Sequence, residues 1–127
     1  MPKSYYLDNS MLNAALRGIS FTPPTTVYVA LFTVIPTVSG GGTEVTGGSY
    51  VRQTVSFVTP ANGQTSNTSD VLFPIASASW GTVVAFGLYD AASAGNLLYF
   101  NQLSVSRTVA INDQVKFPVG QLIVTEA

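Results

Sequence analysis

Six carboxylates, Asp8, Glu44, Asp70, Asp90, Asp113 and Glu126, are the chain's whole stock of acidic side chains, and it has neither histidine nor cysteine. A glycosidase would need two of the six facing a sugar across about 5 to 9 Å with their pKa values driven apart. Nothing in the sequence pairs them. Asp90 and Asp113 fall in turn-like strings, where Asp bonds nearby backbone, and Asp8 falls in a helical pattern. Without imidazole or thiolate, structural zinc, blue copper, iron–sulfur and most haem sites are excluded, as are the Ser-His-Asp and Cys-His relays. An EF-hand's alternating Asp/Asn ladder is missing too. The expectation is therefore a protein that is not an enzyme, with no catalytic residue, no cofactor and no metal.

Other residues carry simpler chemistry. Gly40-Gly41-Gly42 has the glycine content of a phosphate loop, but Thr43-Glu44-Val45 follows where Lys-Ser/Thr belongs, and an anionic Glu repels phosphate. A flexible loop is the better reading. Asn67-Thr68-Ser69 matches a glycosylation acceptor, with nothing else in the chain to support a secretory route. Trp80, at a strand entrance, reads as core rather than as a stacking platform for sugars. Glu44 and Arg52 stand at the two ends of the Gly47-Gly48 turn region with opposite charge. A hairpin there would bring them together and pin the long loop, for about 0 to 1 kcal/mol if the pair is exposed; the other reading, of equal weight, leaves them solvated apart. Tyr5, Tyr6, Met11 and Leu12, near the start of the chain, are the expected anchors of a partner interface, since aromatic and Met contacts are enriched at interface cores.

The elements that must position these residues follow from pattern. Ser4 can cap a helix over residues 5–17; Leu7, Met11, Ala14 and Ala15 recur at helical spacing, and Gly18 is a natural stop. Tyr5, Leu12 and Leu16 add a second apolar flank, so the helix needs cover from a partner or from the rest of the chain. Helical period then disappears. Residues 26–33, 50–58, 71–75, 82–89, 97–103, 107–111, 114–117 and 121–125 read as strands, with polar loops at 33–49 and 59–69 and Asn112-Asp113 as a two-residue hairpin loop. The fold class expected is mainly β, an antiparallel β-sandwich, jelly-roll-like, or barrel of about seven or eight strands with one N-terminal helix. Its organisation would be a docking helix at 1–18 and a single β-domain at 19–127, with deletion of residues 1–17 leaving that domain folded.

Composition narrows the partners. Charged residues make up only 9% of the chain and the net charge is −1, while 39 Ser, Thr, Asn and Gln supply the polarity. A surface so weakly charged repels its own kind little and favours association into a homo-oligomer or larger assembly. The five basic residues, Lys3, Arg17, Arg52, Arg107 and Lys116, are scattered rather than clustered, which speaks against nucleic acid. No apolar run approaches a membrane span. The first residues lack the apolar stretch of a cleaved secretion signal.

Leu7-Asp8-Asn9, Thr22-Pro23-Pro24 running into Thr25-Thr26-Val27-Tyr28-Val29-Ala30-Leu31-Phe32-Thr33, Gly42-Thr43-Glu44-Val45 and Gly48-Ser49-Tyr50-Val51-Arg52-Gln53 occur in an order that resembles a family of small tailed-bacteriophage virion structural proteins. Phe73-Pro74, Trp80-Gly81-Thr82, Phe86-Gly87-Leu88-Tyr89-Asp90-Ala91 and Gly95-Asn96-Leu97-Leu98 continue it through the later half. Members are commonly labelled tail fibre or virion structural protein. The resemblance implies a virion location, other virion proteins as partners (the major capsid protein, or tail and fibre proteins), and no catalytic residues. A short chain without repeats cannot form a fibre shaft. The first expectation is a capsid decoration or cement subunit, stabilising an assembled shell by binding it alone. The second is a tail- or head-fibre-associated protein that binds a receptor or carbohydrate through loops 34–49 and 59–69.

Overall fold

The computed structural model describes residues 2–126. Helix α1 (Tyr5–Leu16) is followed by nine strands: β1 (Val27–Val34), β2 (Thr43–Glu44), β3 (Gln53–Val55), β4 (Gln64–Ser66), β5 (Val71–Leu72), β6 (Gly81–Tyr89), β7 (Leu97–Val109), β8 (Lys116–Phe117) and β9 (Ile123–Thr125). Every pairing is antiparallel. The main sheet runs β2-β1-β6-β7, and β3 shares β1 with β2; β4 pairs with β9 and β5 with β8 in two small sheets, and among the described residues no barrel closes.

The helix begins where its cap allows. The Ser4 hydroxyl accepts the Leu7 N–H at 3.2 Å and donates to the Leu97 carbonyl, joining the cap to β7. It ends where Gly18, at φ +67°, turns the chain and the Arg17 and Ile19 N–H groups both return to the Asn13 carbonyl. β1 forms from a β-branched and aromatic run and sits inside the sheet, so Val29, Ala30, Leu31 and Phe32 are all buried. Val29 and Leu31 join the main core with Phe73, Trp80, Phe86, Leu88 and Leu122, while Ala30 and Phe32 meet Ala85 on the opposite face.

Two expected strands, 97–103 and 107–111, are one. β7 runs unbroken from Leu97 to Val109, two residues short of the expected end, and its register against β6 jumps from Val83–Arg107 to Ala85–Gln102, so Leu103–Ser106 stand opposite Val84 alone. The alternation lapses because these residues form a bulge, not because the strand ends. The expected Asn112-Asp113 hairpin also fails. Asn112 takes φ +71° and Asp113 accepts the Ala110 N–H, but the chain then leaves the sheet and β8 pairs with β5 rather than with β7.

The polar stretch 59–69 is no free loop, since it contains β4 and the buried Asn67, which is 1% exposed. The Asn67 amide donates to the Ser69 and Pro118 carbonyls at 2.8 and 3.0 Å, and its oxygen accepts the Leu122 N–H at 3.0 Å. A glycan on that nitrogen is incompatible with this packing. Asn67→Ala leaves the buried Leu122 N–H and the part-buried Ser69 and Pro118 carbonyls without this partner and should cost about 2 kcal/mol. Urea denaturation measures this; a loss under about 1 kcal/mol would mean that solvent replaces the amide.

Candidate functional site

Arg52 is the most heavily engaged polar side chain of the molecule. It lies just before β3, its side chain 7% exposed, and meets Glu44 from β2 through two hydrogen bonds, Nε to Oε2 at 2.9 Å and Nη2 to Oε1 at 2.8 Å. Nη1 donates to the carbonyls of Ala91 and Ala94 in the β6–β7 turn at 2.9 and 2.8 Å. The guanidinium carbon lies 3.8 Å from the centre of the Tyr89 ring, a cation–π contact. The structure thus brings Glu44 and Arg52 together across the Gly47-Gly48 region. Because the pair is largely buried, the value for exposed pairs no longer applies.

Tyr50 completes the cluster. Its hydroxyl donates to Glu44 Oε2 at 2.6 Å and accepts the Leu31 N–H at 3.0 Å, standing in for a strand partner on β1 between β2 and β3. Burial, and then the bond to Glu44, push the phenol far above its ordinary pKa, so it remains a donor. Burial alone would raise the Glu44 carboxyl; the bonds from Arg52 and Tyr50 outweigh it and hold the group below 4.5. The Tyr50 ring lies edge to face with Trp80 at 5.4 Å and stacked on Phe73 at 6.1 Å. Trp80 is buried and donates Nε1–H to the Gly48 carbonyl at 2.8 Å. Gly48 has φ +58°, and a Cβ there would lie 2.7 Å from Trp80 Nε1, so only glycine fits.

A second cluster ties the two ends of the chain. Lys3 bonds Glu126 and lies 3.5 Å from Asp8, and the Tyr99 hydroxyl donates to the other Glu126 oxygen. Ser4 N–H donates to the Leu98 carbonyl and Phe100 N–H to that of Pro2, so residues 2–4 line the outer edge of β7. From there α1 leans on β7 with Leu7 as its one buried side chain. Tyr5, Tyr6, Leu12 and Leu16 are 56, 41, 55 and 77% exposed, and Met11 is half-buried. By helical spacing Tyr5, Leu12 and Leu16 form a stripe roughly opposite Leu7 and Met11. Leu16 belongs with the four residues the sequence singles out, and its spacing from Leu12 was the available signal.

Every carboxylate has an internal partner. Asp90 holds both nitrogens of Asn96, Asp113 the Ala110 N–H, and Asp70 the Val119 N–H and Lys116; Glu44, Asp8 and Glu126 are accounted for above. Among the described residues no group of three or more Asp or Glu could hold a metal ion, and no helix is long and apolar enough to cross a membrane. Gly42 lies where a Cβ would stand 2.7 Å from the Val34 carbonyl, which explains a glycine there by turn geometry, without any phosphate.

A small antiparallel β-domain that uses its charges to fasten its own loops is a structural module. Residues 2–125 match the family described as Podophage GP4 fiber I protein gp80, and the chain belongs to that family. It is a tailed-phage virion structural protein of the fibre type. A comparison with curated proteins finds no match.

Removing Arg52 leaves Glu44 and two turn carbonyls behind it. Arg52→Met should cost about 3 kcal/mol, and Arg52→Lys about half as much, because an ammonium can neither fork onto the carboxylate nor stack on Tyr89 as well. Glu44 has a lowered folded pKa, so its contribution is complete above pH 4.5 and is lost as the pH falls through the lower folded value. Glu44→Gln should therefore be less stable than the parent at pH 7, with the gap narrowing below pH 4.5. A gap that stays constant from pH 7 to 3 would contradict the assignment.

Proposed function

We propose that the protein is a non-enzymatic subunit of a podophage fibre assembly, anchored through the outward face of α1 to an apolar groove on a neighbouring virion subunit. One observation carries this reading: a twelve-residue helix buries only Leu7 against its own domain and turns Tyr5, Tyr6, Leu12 and Leu16 to solvent. So short a helix is marginal alone in water. Each exposed Leu would contribute up to about 1.5 to 3 kcal/mol on burial, the apolar centre of a contact that further surface must complete. Met11, half-buried on the Leu7 side, sits at the margin of that contact.

The family description favours a fibre over a shell decoration as the neighbour. Absence of covalent chemistry is supported by the six carboxylates, each bonded internally, in a chain without His or Cys. Residues 1–18 are a docking element in function, yet Ser4 and Leu7 are buried. Deleting the whole segment would uncover the edge of β7, so point substitutions isolate docking better.

The triple variant Tyr5→Gln, Leu12→Gln, Leu16→Gln should melt within a few degrees of the parent, since all three side chains face solvent. In particles assembled without the native copy it should incorporate at a tenth of the parent's level or less. Normal incorporation would move the docking surface elsewhere on the domain. Cryo-EM localisation of the parent protein on the shell would replace the fibre reading with capsid decoration.

A further inference from the structure

A groove of about 400 Å3 opens at one end of the domain, between the first residues of β1 and β7 and the β4–β9 pair. Its walls are mainly apolar and include Val27, Phe57, Val58, Leu98, Tyr99 and Val124. Leu98 and Val124 are buried at its floor, while Val58 is 43% exposed. An apolar surface that continues from the core out to solvent is fitted to receive another apolar element. Glu126 is the one charged side chain in the lining. Together with Lys3 and Asp8, its neighbours in the cluster described above, it leaves one net negative charge at the rim.

The element that matches this groove is on the same chain. Leu12 and Leu16 stand exposed on α1, and the next residue, Arg17, is an exposed cation whose side chain is bonded only to Asn13, at 3.0 Å. Apolar surface beside a positive charge on the helix thus corresponds to apolar surface beside a negative charge at the groove. The helix cannot fill the groove of its own copy, because the bonds at Ser4 and Tyr5 and the buried Leu7 hold its opposite face on the domain. Twelve residues make a helix only about 18 Å long, which covers less than the roughly 800 Å2 per partner of a stable complex. The contact is weak singly and gains strength by repetition in an assembly.

We propose that the groove receives α1 of a second copy of this chain, with Leu12 and Leu16 on its apolar walls and Arg17 against Glu126. The proposal rests on α1 being the docking element and names the neighbour on which it docks. Sedimentation velocity and amide NMR follow the full chain over a roughly hundredfold dilution. Association should rise with concentration, and the shifts that change should lie in residues 12–17 together with 57–65, 98–99 and 124. Leu12→Gln/Leu16→Gln and Val58→Lys should each weaken association at least tenfold, and Arg17→Glu severalfold. Mixed together, the helix variant and the groove variant should associate again, since the pair keeps one intact helix and one intact groove. A parent that stays monomeric, shifts confined to α1, or a mixture that does not associate would each overturn the assignment. The parent's shift map decides the question even if Val58→Lys does not fold. In particles, Val58→Lys incorporating at the parent's level while the helix variant is excluded would overturn the second copy as neighbour and leave the docking role of α1 standing. A helix variant that incorporates normally would overturn both.

Discussion

A guanidinium cannot be neutralised inside a protein, so once Arg52 is buried the chain around it must supply a counter-charge and acceptors for its N–H groups. Glu44 gives the charge, Ala91 and Ala94 the remaining acceptors, and Tyr89 a ring face. These groups come from β2, the end of β6 and the β6–β7 turn, which therefore cannot move independently. Tyr50, bonded to the same carboxylate, carries the constraint into the core through Phe73 and Trp80, and Trp80 returns it to Gly48. A loop rich in glycine, which would otherwise be expensive to order, is held at both ends and in the middle. The small sheet edge made by β2 and β3 owes its geometry to this charge more than to its few backbone bonds.

Parts of this were legible in sequence and parts were not, for physical reasons. The cap at Ser4, the stop at Gly18 and the runs that form β1 and β6 are local signals, and local signals survive without knowledge of the fold. Glu44 and Arg52 were legible because a turn separates them. Tyr89, Ala91 and Ala94 lie some forty residues away, and an acceptor that is a backbone carbonyl leaves no trace in residue type. Asn67 was misleading for the opposite reason: a polar residue in a polar string reads as exposed, whereas its four-way amide chemistry is what lets a turn be buried. The bulge in β7 looked like a strand end because alternation is the only strand signal and a bulge breaks it.

The scarcity of charge acquires meaning from where the charges go. A soluble domain usually spreads ionic groups over its surface, yet here the carboxylates fasten turns, the chain ends and the Arg52 loop. What remains outward is mostly hydroxyl, amide and apolar surface, with a few scattered charges such as Arg17, Arg107 and the Lys116–Asp70 pair, so it repels a neighbour little. Such a surface suits a subunit that spends its working life against other proteins, in keeping with the fibre family to which the chain belongs.

The helix shows how the same economy of contacts shapes attachment. Its first turn is bound firmly, with Ser4 bonded to β7, Tyr5 N–H to the Val38 carbonyl and Leu7 buried, while the rest projects with little support. Had the exposed stripe been meant for the domain's own core, rotating the helix would have placed Leu12 and Leu16 inward; the cap at Ser4 and the bond at Tyr5 fix the rotation that keeps them out. The orientation of the helix is therefore set by its anchored end, and the apolar stripe is a consequence of that anchoring rather than of loose packing.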